Sequence, residues 1–403
     1  MRIQKSLSAI AAAVVLAVSL SSCLSSSPAG NTSDTSAATT AAEVSETGVP
    51  AFAASSARDI PSTELVKEIH LGWNLGNTLD ATIGEPTGNE TPKDWETAWG
   101  NPATTKNMID SVHMMGFNAL RLPVTWEGKF GGAPDYKIDE AWLARVREIA
   151  DYAFENEMYV IINMHHEEWN MPTAENAAPA EEKLRALWGQ IADYFADYNE
   201  KLIFECMNEP RLKNTPLEWT GGNKESRDII NGWNEAFVDT IRSKGGNNAV
   251  RHLMIPGYAA SSSESVLSDI TVPDDDKVIV SVHAYIPYNF ALAEPDNAVT
   301  EWSADKPSDT RDIDNLMMVL DELFLKKGHA VIIGEMGTRN RFNNDARADW
   351  ARYYISTAAS HGVPCFWWDN NAFVSGETFG LLDRKTLEWR YPEIIDAMNE
   401  AKK

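Results

Sequence analysis

Two glutamates stand where short apolar runs end, in the segments Asn208-Glu209-Pro210 and Gly334-Glu335-Met336. A carboxylic acid and a carboxylate that face each other can hydrolyse a glycosidic bond, because one protonates the leaving oxygen while the other attacks or activates water. A neighbouring negative charge would raise the pKa of the acid, whereas hydrogen bonds and an arginine would lower that of the nucleophile. We expect Arg121 and Tyr285 to act as those donors.

Further polar residues follow other apolar runs. The segments are Gly72-Trp73-Asn74-Leu75-Gly76-Asn77, His165-His166, His283-Ala284-Tyr285 and Trp367-Trp368-Asp369-Asn370. The histidine pair, followed by Glu167 and Glu168, is also compatible with a metal site. However, the sequence has no second histidine-rich run and no His-Glu-x-x-His helix, so we predict no metal and no other cofactor.

Eight apolar runs of strand length recur, at residues 70–75, 117–122, 159–164, 202–207, 252–255, 278–282, 330–333 and 364–368. Several are separated by amphipathic helical patterns, as at 138–153, 184–195 and 313–324. This alternation predicts a parallel sheet, and eight units predict an α/β fold, a (β/α)8 TIM barrel forming a single catalytic domain. A doubly wound open sheet is the alternative, but no Gly-x-Gly-x-x-Gly follows the first run.

In such a barrel the polar segments would share one mouth, because barrel enzymes carry their chemistry at the carboxyl ends of the strands. The Asn208-Glu209-Pro210 triplet and Glu335 resemble glycoside hydrolase family 5. Other matching segments are those listed above at residues 72–77, 165–166, 283–285 and 367–370, together with Trp99-Gly100-Asn101-Pro102. Together they resemble the subfamily 4 endoglucanases and xyloglucanases, over about residues 60 to 390.

The resemblance implies a retaining double displacement, with Glu209 as general acid/base and Glu335 as nucleophile. It also implies that Arg121 and Tyr285 orient Glu335, and that Asn208 holds the 2-hydroxyl of the sugar at the cleavage subsite. The remaining substrate-binding residues that we predict are Asn77, His165, His166, His283 and Trp368, the last as the floor under the sugar.

These roles predict an endo-acting β-1,4-glucanase that hydrolyses cellulose derivatives, mixed-linkage glucan or xyloglucan. A mannanase or xylanase on the same barrel is an alternative, because loop contacts decide the substrate. A non-catalytic glycan-binding lipoprotein is another, although binding alone does not require two opposed carboxylates. A further alternative is a metal-dependent hydrolase, which would lose activity when a chelator is added.

Several residues have a structural interpretation. Glu205 precedes Glu209 by four positions on the same run, and we predict a buried acid paired with Arg121. We expect Cys206 and Cys365 to be buried free thiols. The fourteen tryptophans include five in loops that are candidates for stacking on sugars: Trp73, Trp126, Trp169, Trp219 and Trp302.

The N-terminus is typical of bacterial export, with Arg2 and Lys5 before an apolar run. Leu20-Ser21-Ser22-Cys23 resembles a lipobox, which predicts a signal peptide over residues 1–22 and a lipid on Cys23. Residues 23–57, rich in Ser, Thr and Ala, are predicted to be a flexible linker to a catalytic domain at 58–403. We therefore expect a cell-surface lipoprotein of the outer membrane.

The net charge of −24 makes nucleic acid an unsuitable partner, because binding phosphates requires clustered Lys and Arg. We expect a monomer whose partner is a β-glucan and whose contact with the membrane is made through the lipid anchor alone.

Overall fold

The computed structural model describes residues 48–402. Eight parallel strands form a closed barrel in sequence order, with β8 pairing back to β1. The barrel strands are β1 (Gly72–Leu75), β2 (Ala119–Leu122), β3 (Tyr159–Asn163), β4 (Leu202–Glu205), β5 (Leu253–Ser261), β6 (Val278–His283), β7 (Ala330–Met336) and β8 (Cys365–Asp369). The predicted (β/α)8 barrel is confirmed, and each apolar run contributes one strand.

Helices pack around the barrel and at its ends. They are α1 (Ser62–Leu65), α2 (Pro92–Glu96), α3 (Lys106–Met114), α4 (Glu140–Phe154), α5 (Ala177–Tyr194), α6 (Lys224–Arg242), α7 (Glu264–Leu267), α8 (Tyr288–Ala291), α9 (Pro307–Leu323), α10 (Asn344–Ser360) and α11 (Pro392–Ala401). A two-stranded antiparallel sheet of β9 (Leu382–Asp383) and β10 (Glu388–Trp389) follows the barrel. None of the described helices combines the length and the apolar character that a membrane span requires.

The barrel interior is layered because side chains alternate along each strand. An apolar layer lies at the amino-terminal end and includes Ile161, Ile203, Ile279 and Ile332, with Leu65 packed against them. Glu205 and Ser281 come two residues after Ile203 and Ile279 and therefore point to the same interior. Both of these polar side chains are also buried. The interior therefore changes from apolar to polar toward the carboxyl ends of the strands.

The packed part of the chain begins before the predicted boundary at residue 58. Val49 and Ala53 are buried in the main core, and the Ala53 carbonyl accepts a 2.8 Å hydrogen bond from the Asn199 backbone N–H. The end of the predicted linker is thus part of the folded domain, which corrects that boundary. The signal peptide and Cys23 lie outside the described residues. Cys206 and Cys365 are buried free thiols, as predicted.

Candidate active site

Glu335 lies near the end of β7 with its carboxylate held by two donors. The Arg121 guanidinium donates to Oε1 and the Tyr285 hydroxyl donates to Oε2, both at 2.8 Å. Burial, reinforced by the charge of Glu335, raises the pKa of Tyr285 well above its usual range, so this phenol remains a donor. The orientation of the Glu335 carboxylate is therefore fixed by one hydrogen bond to each oxygen.

Arg121, fully buried on β2, connects several site residues. Its nitrogens donate to Glu205 at 2.7 Å, to Asn74 at 2.9 Å, and to Asn208 and Glu335 at 2.8 Å. Burial alone would lower the pKa of Arg121, but the carboxylates of Glu205 and Glu335 outweigh it and raise that pKa. The second oxygen of Glu205 accepts a 2.6 Å bond from Ser281, so Glu205 is a buried ion-pair partner.

Glu209 follows β4 and faces His283, whose Nδ1 lies 2.8 Å from its Oε1. Arg211 adds a second positive group, with Nη1 lying 3.7 Å from Oε2. Burial acts to raise the pKa of Glu209, but the hydrogen bond from His283 and the charge of Arg211 outweigh it and lower that pKa. The sequence-based expectation of a raised pKa is therefore wrong for the free protein, because a histidine stands beside the acid.

The hydrogen-bond network assigns the position of the proton on His283. Its Nε2 lies 3.4 Å from Nη2 of Arg121, and a guanidinium can only donate. Nε2 therefore accepts, and Nδ1 carries the hydrogen that is donated to Glu209. Glu335, whose Oε1 lies 3.7 Å from the same Nδ1, and Glu209 raise the pKa of His283 against the opposing effect of burial.

Glu209, His283 and Glu335 place one acceptor or donor atom each within 4.8 Å of one another. Carboxyl groups about 5 Å apart are the arrangement of retaining glycoside hydrolases, whereas inverting enzymes need a wider gap for a water molecule. The barrel mouth thus has the geometry of the retaining class.

The wall beside this pair contains His165, Asn208 and Trp368. The Asn208 Oδ1 is occupied by Arg121, which leaves its amide N–H groups available to a ligand. The His165 ring lies parallel to the Trp368 ring with centroids 5.8 Å apart. Its Nδ1 accepts from the Asn163 amide at 3.1 Å, because the oxygen of that amide already accepts from the Val124 backbone. His165 Nε2–H is therefore a donor.

Asn77 and His166 lie on the adjacent loops. Asn77 has a φ of 56°, and its backbone is held by the Asp80 carboxylate at 3.0 Å and by the Asn101 amide at 2.7 Å. The His166 ring packs against the exposed Trp99, with centroids 5.6 Å apart. Trp99 belongs to one of the matching sequence segments, but the sequence alone does not indicate that its ring packs against another.

Two groups of residues in the described chain are close enough to suggest a metal: Asp80 with His165 and His166, and Glu209 with His283 and Glu335. In the first group, Nδ1 of His165 accepts from Asn163, so Nε2 carries the hydrogen and offers no lone pair. In the second, Nδ1 of His283 is likewise a donor. Hydrogen bonds therefore occupy Nδ1 of His165 and both ring nitrogens of His283.

The five candidate loop tryptophans separate by exposure. Trp73, Trp126 and Trp302 are buried, so they pack in the interior and cannot stack on a sugar. Trp169 is half-buried, with its N–H bonded to Glu167 at 2.7 Å. Trp219 is 66% exposed and remains a stacking candidate.

Trp219 belongs to a cluster that the sequence analysis missed. The Arg211 guanidinium lies 4.2 Å from the centre of the Trp219 ring, and its Nε donates to Glu218 at 3.1 Å. Because Arg211 also lies beside Glu209, this cluster joins the predicted acid to an exposed indole. The available signal was the position of Arg211, two residues after Glu209 on an extended segment.

Comparison with known proteins identifies the family. The pattern of the cellulase family, glycosyl hydrolase family 5, matches residues 82–374. Endoglucanase A of Clostridium longisporum is 47% identical over 342 residues, which cover 84% of this chain and 65% of that protein. Cellulase/esterase CelE of Acetivibrio thermocellus is 50% identical over 347 residues, covering 85% of this chain and 40% of CelE.

Among solved structures, a GH5-4 broad specificity endoglucanase from Ruminococcus champanellensis with bound cellotriose superimposes with a TM-score of 0.82. It is 47% identical, and the alignment covers 86% of this chain and all of that one. The chain therefore belongs to glycoside hydrolase family 5, and its resemblance to subfamily 4 is confirmed. It spans less than two thirds of the length of either curated relative.

Proposed function

We propose that this protein is an endo-acting, retaining β-1,4-glucanase that hydrolyses internal bonds of plant β-glucans. The observation that carries the proposal is the close pair of Glu209 and Glu335, with Arg121 and Tyr285 fixing the orientation of Glu335. Similarity to a broad specificity endoglucanase with bound cellotriose supports a β-glucan substrate. The substrates that we propose are cellulose derivatives, mixed-linkage glucan and xyloglucan.

In the first step, Glu335 attacks the anomeric carbon while Glu209 gives its proton to the leaving glycosidic oxygen. The bond to the leaving sugar breaks as a glycosyl ester forms on Glu335. Because His283 Nδ1–H occupies Oε1 of Glu209, the transferred proton leaves from Oε2. The Tyr285 and Arg121 donors hold the carboxylate in position for attack.

In the second step, Glu209, now a carboxylate, removes a proton from water, and the oxygen of that water attacks the anomeric carbon. The ester bond to Glu335 breaks, and the product retains its anomeric configuration. The hydrogen bond from His283 favours the ionised form of Glu209, which is the form this step requires. The proton taken from water leaves Glu209 in the acid form that the first step of the next cycle requires.

The sugar next to the cut would lie against Trp368, with the amide of Asn208 on its 2-hydroxyl and His165 Nε2–H as a further donor. His166, Asn77 and the exposed Trp99 would extend this wall toward the next sugars. On the leaving-group side, the Trp219 ring held by Arg211 offers an apolar face to the departing sugar.

The test is reducing-end release by the full-length chain on xyloglucan, carboxymethylcellulose, mixed-linkage glucan, xylan and mannan, with and without a chelator. We expect the glucans to be cut, the chelator to have no effect, and Glu335→Gln to be inactive. Glu209→Gln should keep much more activity on an aryl β-cellobioside with an acidic leaving group than on polymers, since that leaving group needs little protonation.

Other results of the same test would replace the proposal. Preferential cleavage of xylan or mannan would make the protein a xylanase or mannanase. Glycan binding without cleavage of any polymer would make it a glycan-binding lipoprotein, and inactivation by the chelator would indicate a metal-dependent hydrolase.

We further propose that the protein is anchored at the outer membrane surface through lipid on Cys23 and is a monomer. The lipobox-like segment that ends at Cys23 supports the anchor. The wild-type chain, expressed in a bacterium that processes lipoproteins, should partition into detergent, whereas Cys23→Ser should remain in the aqueous phase. Equal partitioning of the two would refute the anchor, and light scattering of the Cys23→Ser chain would report its oligomeric state.

A further inference from the structure

A second groove lies beside the loops that follow β7 and β8. It has a volume of about 970 Å³, and its lining includes the side chains of Phe342, Phe373, Val374 and Tyr391. Phe342 is 92% exposed and Val374 is 89% exposed. Exposed large apolar side chains gathered around one groove are a feature of interaction surfaces.

The backbone conformation at Phe342 is unusual. Its φ of 59° lies in the left-handed region, which is unfavourable for a bulky residue. Its N–H donates to Asn340 Oδ1 at 2.9 Å, and the neighbouring Arg341 N–H donates to Asn343 Oδ1 at 3.2 Å. The Asn343 amide in turn donates to the Thr300 carbonyl at 2.8 Å. A strained turn secured by this many hydrogen bonds is characteristic of a functional loop.

The charges around the groove favour a neutral ligand. Arg390 is the one lysine or arginine among its lining residues, and its guanidinium contacts Asp383 at 2.6 Å and Glu388 at 3.3 Å. Asp345 lies in the first turn of α10, where the helix dipole stabilises a carboxylate. Arg390 lies 5.8 Å from the centre of the Phe373 ring and Arg347 lies 4.8 Å from that of Tyr391, so Phe342 presents the open aromatic face of the groove. Because Arg390 is paired with carboxylates, this face suits a neutral sugar ring better than an anionic partner.

The loops that follow β7 and β8 are hydrogen-bonded to each other and connect the groove with the active site. The Asn340 N–H donates to the Thr378 carbonyl at 2.8 Å, and the Thr378 hydroxyl donates to the Asn340 carbonyl at 3.1 Å. The next residue, Phe379, packs on Tyr285 with ring centroids 5.3 Å apart. Both surfaces therefore stand on the loops at the carboxyl ends of the barrel strands.

We infer that this groove is a second, non-catalytic binding site for a β-glucan chain, with Phe342 as its main stacking residue. The inference rests on the proposed function for the identity of the polymer. A chain held on Phe342 would keep the enzyme on its substrate between cuts and raise the local concentration of bonds at the catalytic pair.

The first experiment is native gel electrophoresis of the full-length chain, carrying Glu335→Gln to prevent cleavage, in gels with and without xyloglucan. Addition of Phe342→Ala should reduce retardation by the polymer several-fold. Because Phe342 is almost wholly exposed, its truncation removes little packing. Met114→Ala, at a residue 76% exposed on α3, is the matched control and should leave retardation unchanged.

The second experiment compares rates of the chain with an intact catalytic pair. Phe342→Ala should lower kcat/KM on xyloglucan several-fold relative to kcat/KM on an aryl β-cellobioside, which is too short to reach the groove. An unchanged ratio together with unchanged retardation would overturn the inference. Loss of self-association in Phe342→Ala without loss of retardation would instead assign the groove to a second copy of the chain. If no variant cleaves the aryl glycoside, the proposed function fails, while the gel still decides on the groove.

Discussion

Glu209 and His283 share a hydrogen bond that sets the protonation of the site. The pKa of Glu209 is lowered, so this carboxyl loses its proton at a lower pH than an ordinary glutamate. The proposed first step needs Glu209 protonated, and its deprotonation therefore gives the alkaline limb of the pH profile.

Replacing His283 by asparagine should move that alkaline limb to higher pH. The substitution removes the imidazole Nδ1–H whose hydrogen bond lowers the pKa of Glu209, while burial, which raises that pKa, remains. The measurement is kcat/KM against pH on an aryl β-cellobioside. His361→Asn, at a half-buried residue next to Asp321, is the control. An unmoved limb, or one moved to lower pH, would show that His283 does not govern Glu209.

Arg121 is the residue on which the buried charges of the site depend. Arg121→Met should destabilise the protein by about 3–5 kcal/mol, because it leaves Glu205 and Glu335 buried without their cation. Arg121→Lys should recover part of that loss but little activity, since an ammonium cannot reproduce the fork of donors.

Denaturant unfolding monitored by fluorescence measures this loss. The control is Arg352→Met, which removes a half-exposed cation from Asp349 and Glu400 and should cost about 0–1 kcal/mol. Equal stability of Arg121→Met and the parent protein would contradict the assignment of a buried ionic network.

At the scale of elements, the contact of β1 with β8 positions the floor of the site. A Cβ at Gly72 would lie 2.1 Å from the Phe366 ring, and one at Gly76 would lie 2.7 Å from the Trp368 ring. The two glycines therefore make room for the aromatic side chains that β8 directs into the barrel.

Gly76→Ala should displace Trp368 and lower kcat/KM, with a stability loss of about 1–3 kcal/mol from overpacking. The backbone carbonyl of Asp369, 2.9 Å from the same Cβ, prevents relief by a simple side-chain rotation. Gly84→Ala is a control in the same loop, because no atom lies within 4 Å of its Cβ. The idea would be wrong if both variants retained parental kinetics and unfolding midpoints.

At the scale of the whole molecule, the net charge of −24 repels anionic polymers. We expect KM on carboxymethylcellulose to fall several-fold between low and physiological ionic strength, because salt screens this repulsion. KM on xyloglucan, a neutral polymer, should change little over the same range. Similar salt responses on both polymers would show that the charge of the protein does not act on the substrate.

Much of this protein followed from local sequence patterns. The eight apolar runs and the helical periodicity between them predict eight strand–helix units, because period-two and period-3.6 burial are properties of neighbouring residues. Closure of these units into a barrel is shown by the pairing of β8 with β1. Polar residues at the ends of the runs then locate the site, since all strands of a parallel barrel end at one mouth. Glu209, Glu335 and Arg121 could therefore be identified together before any coordinates.

Only the tertiary structure decided which side chains meet, because such contacts join residues far apart in the chain. Trp73 and Trp126 could not be recognised as buried, since the same residue type serves in cores and on sugar-binding surfaces. The packing of Ala53 against the domain depends on Asn199, far along the chain. The lowered pKa of Glu209 depends on His283, brought from β6 to β4 by barrel closure, and no local pattern carries that information.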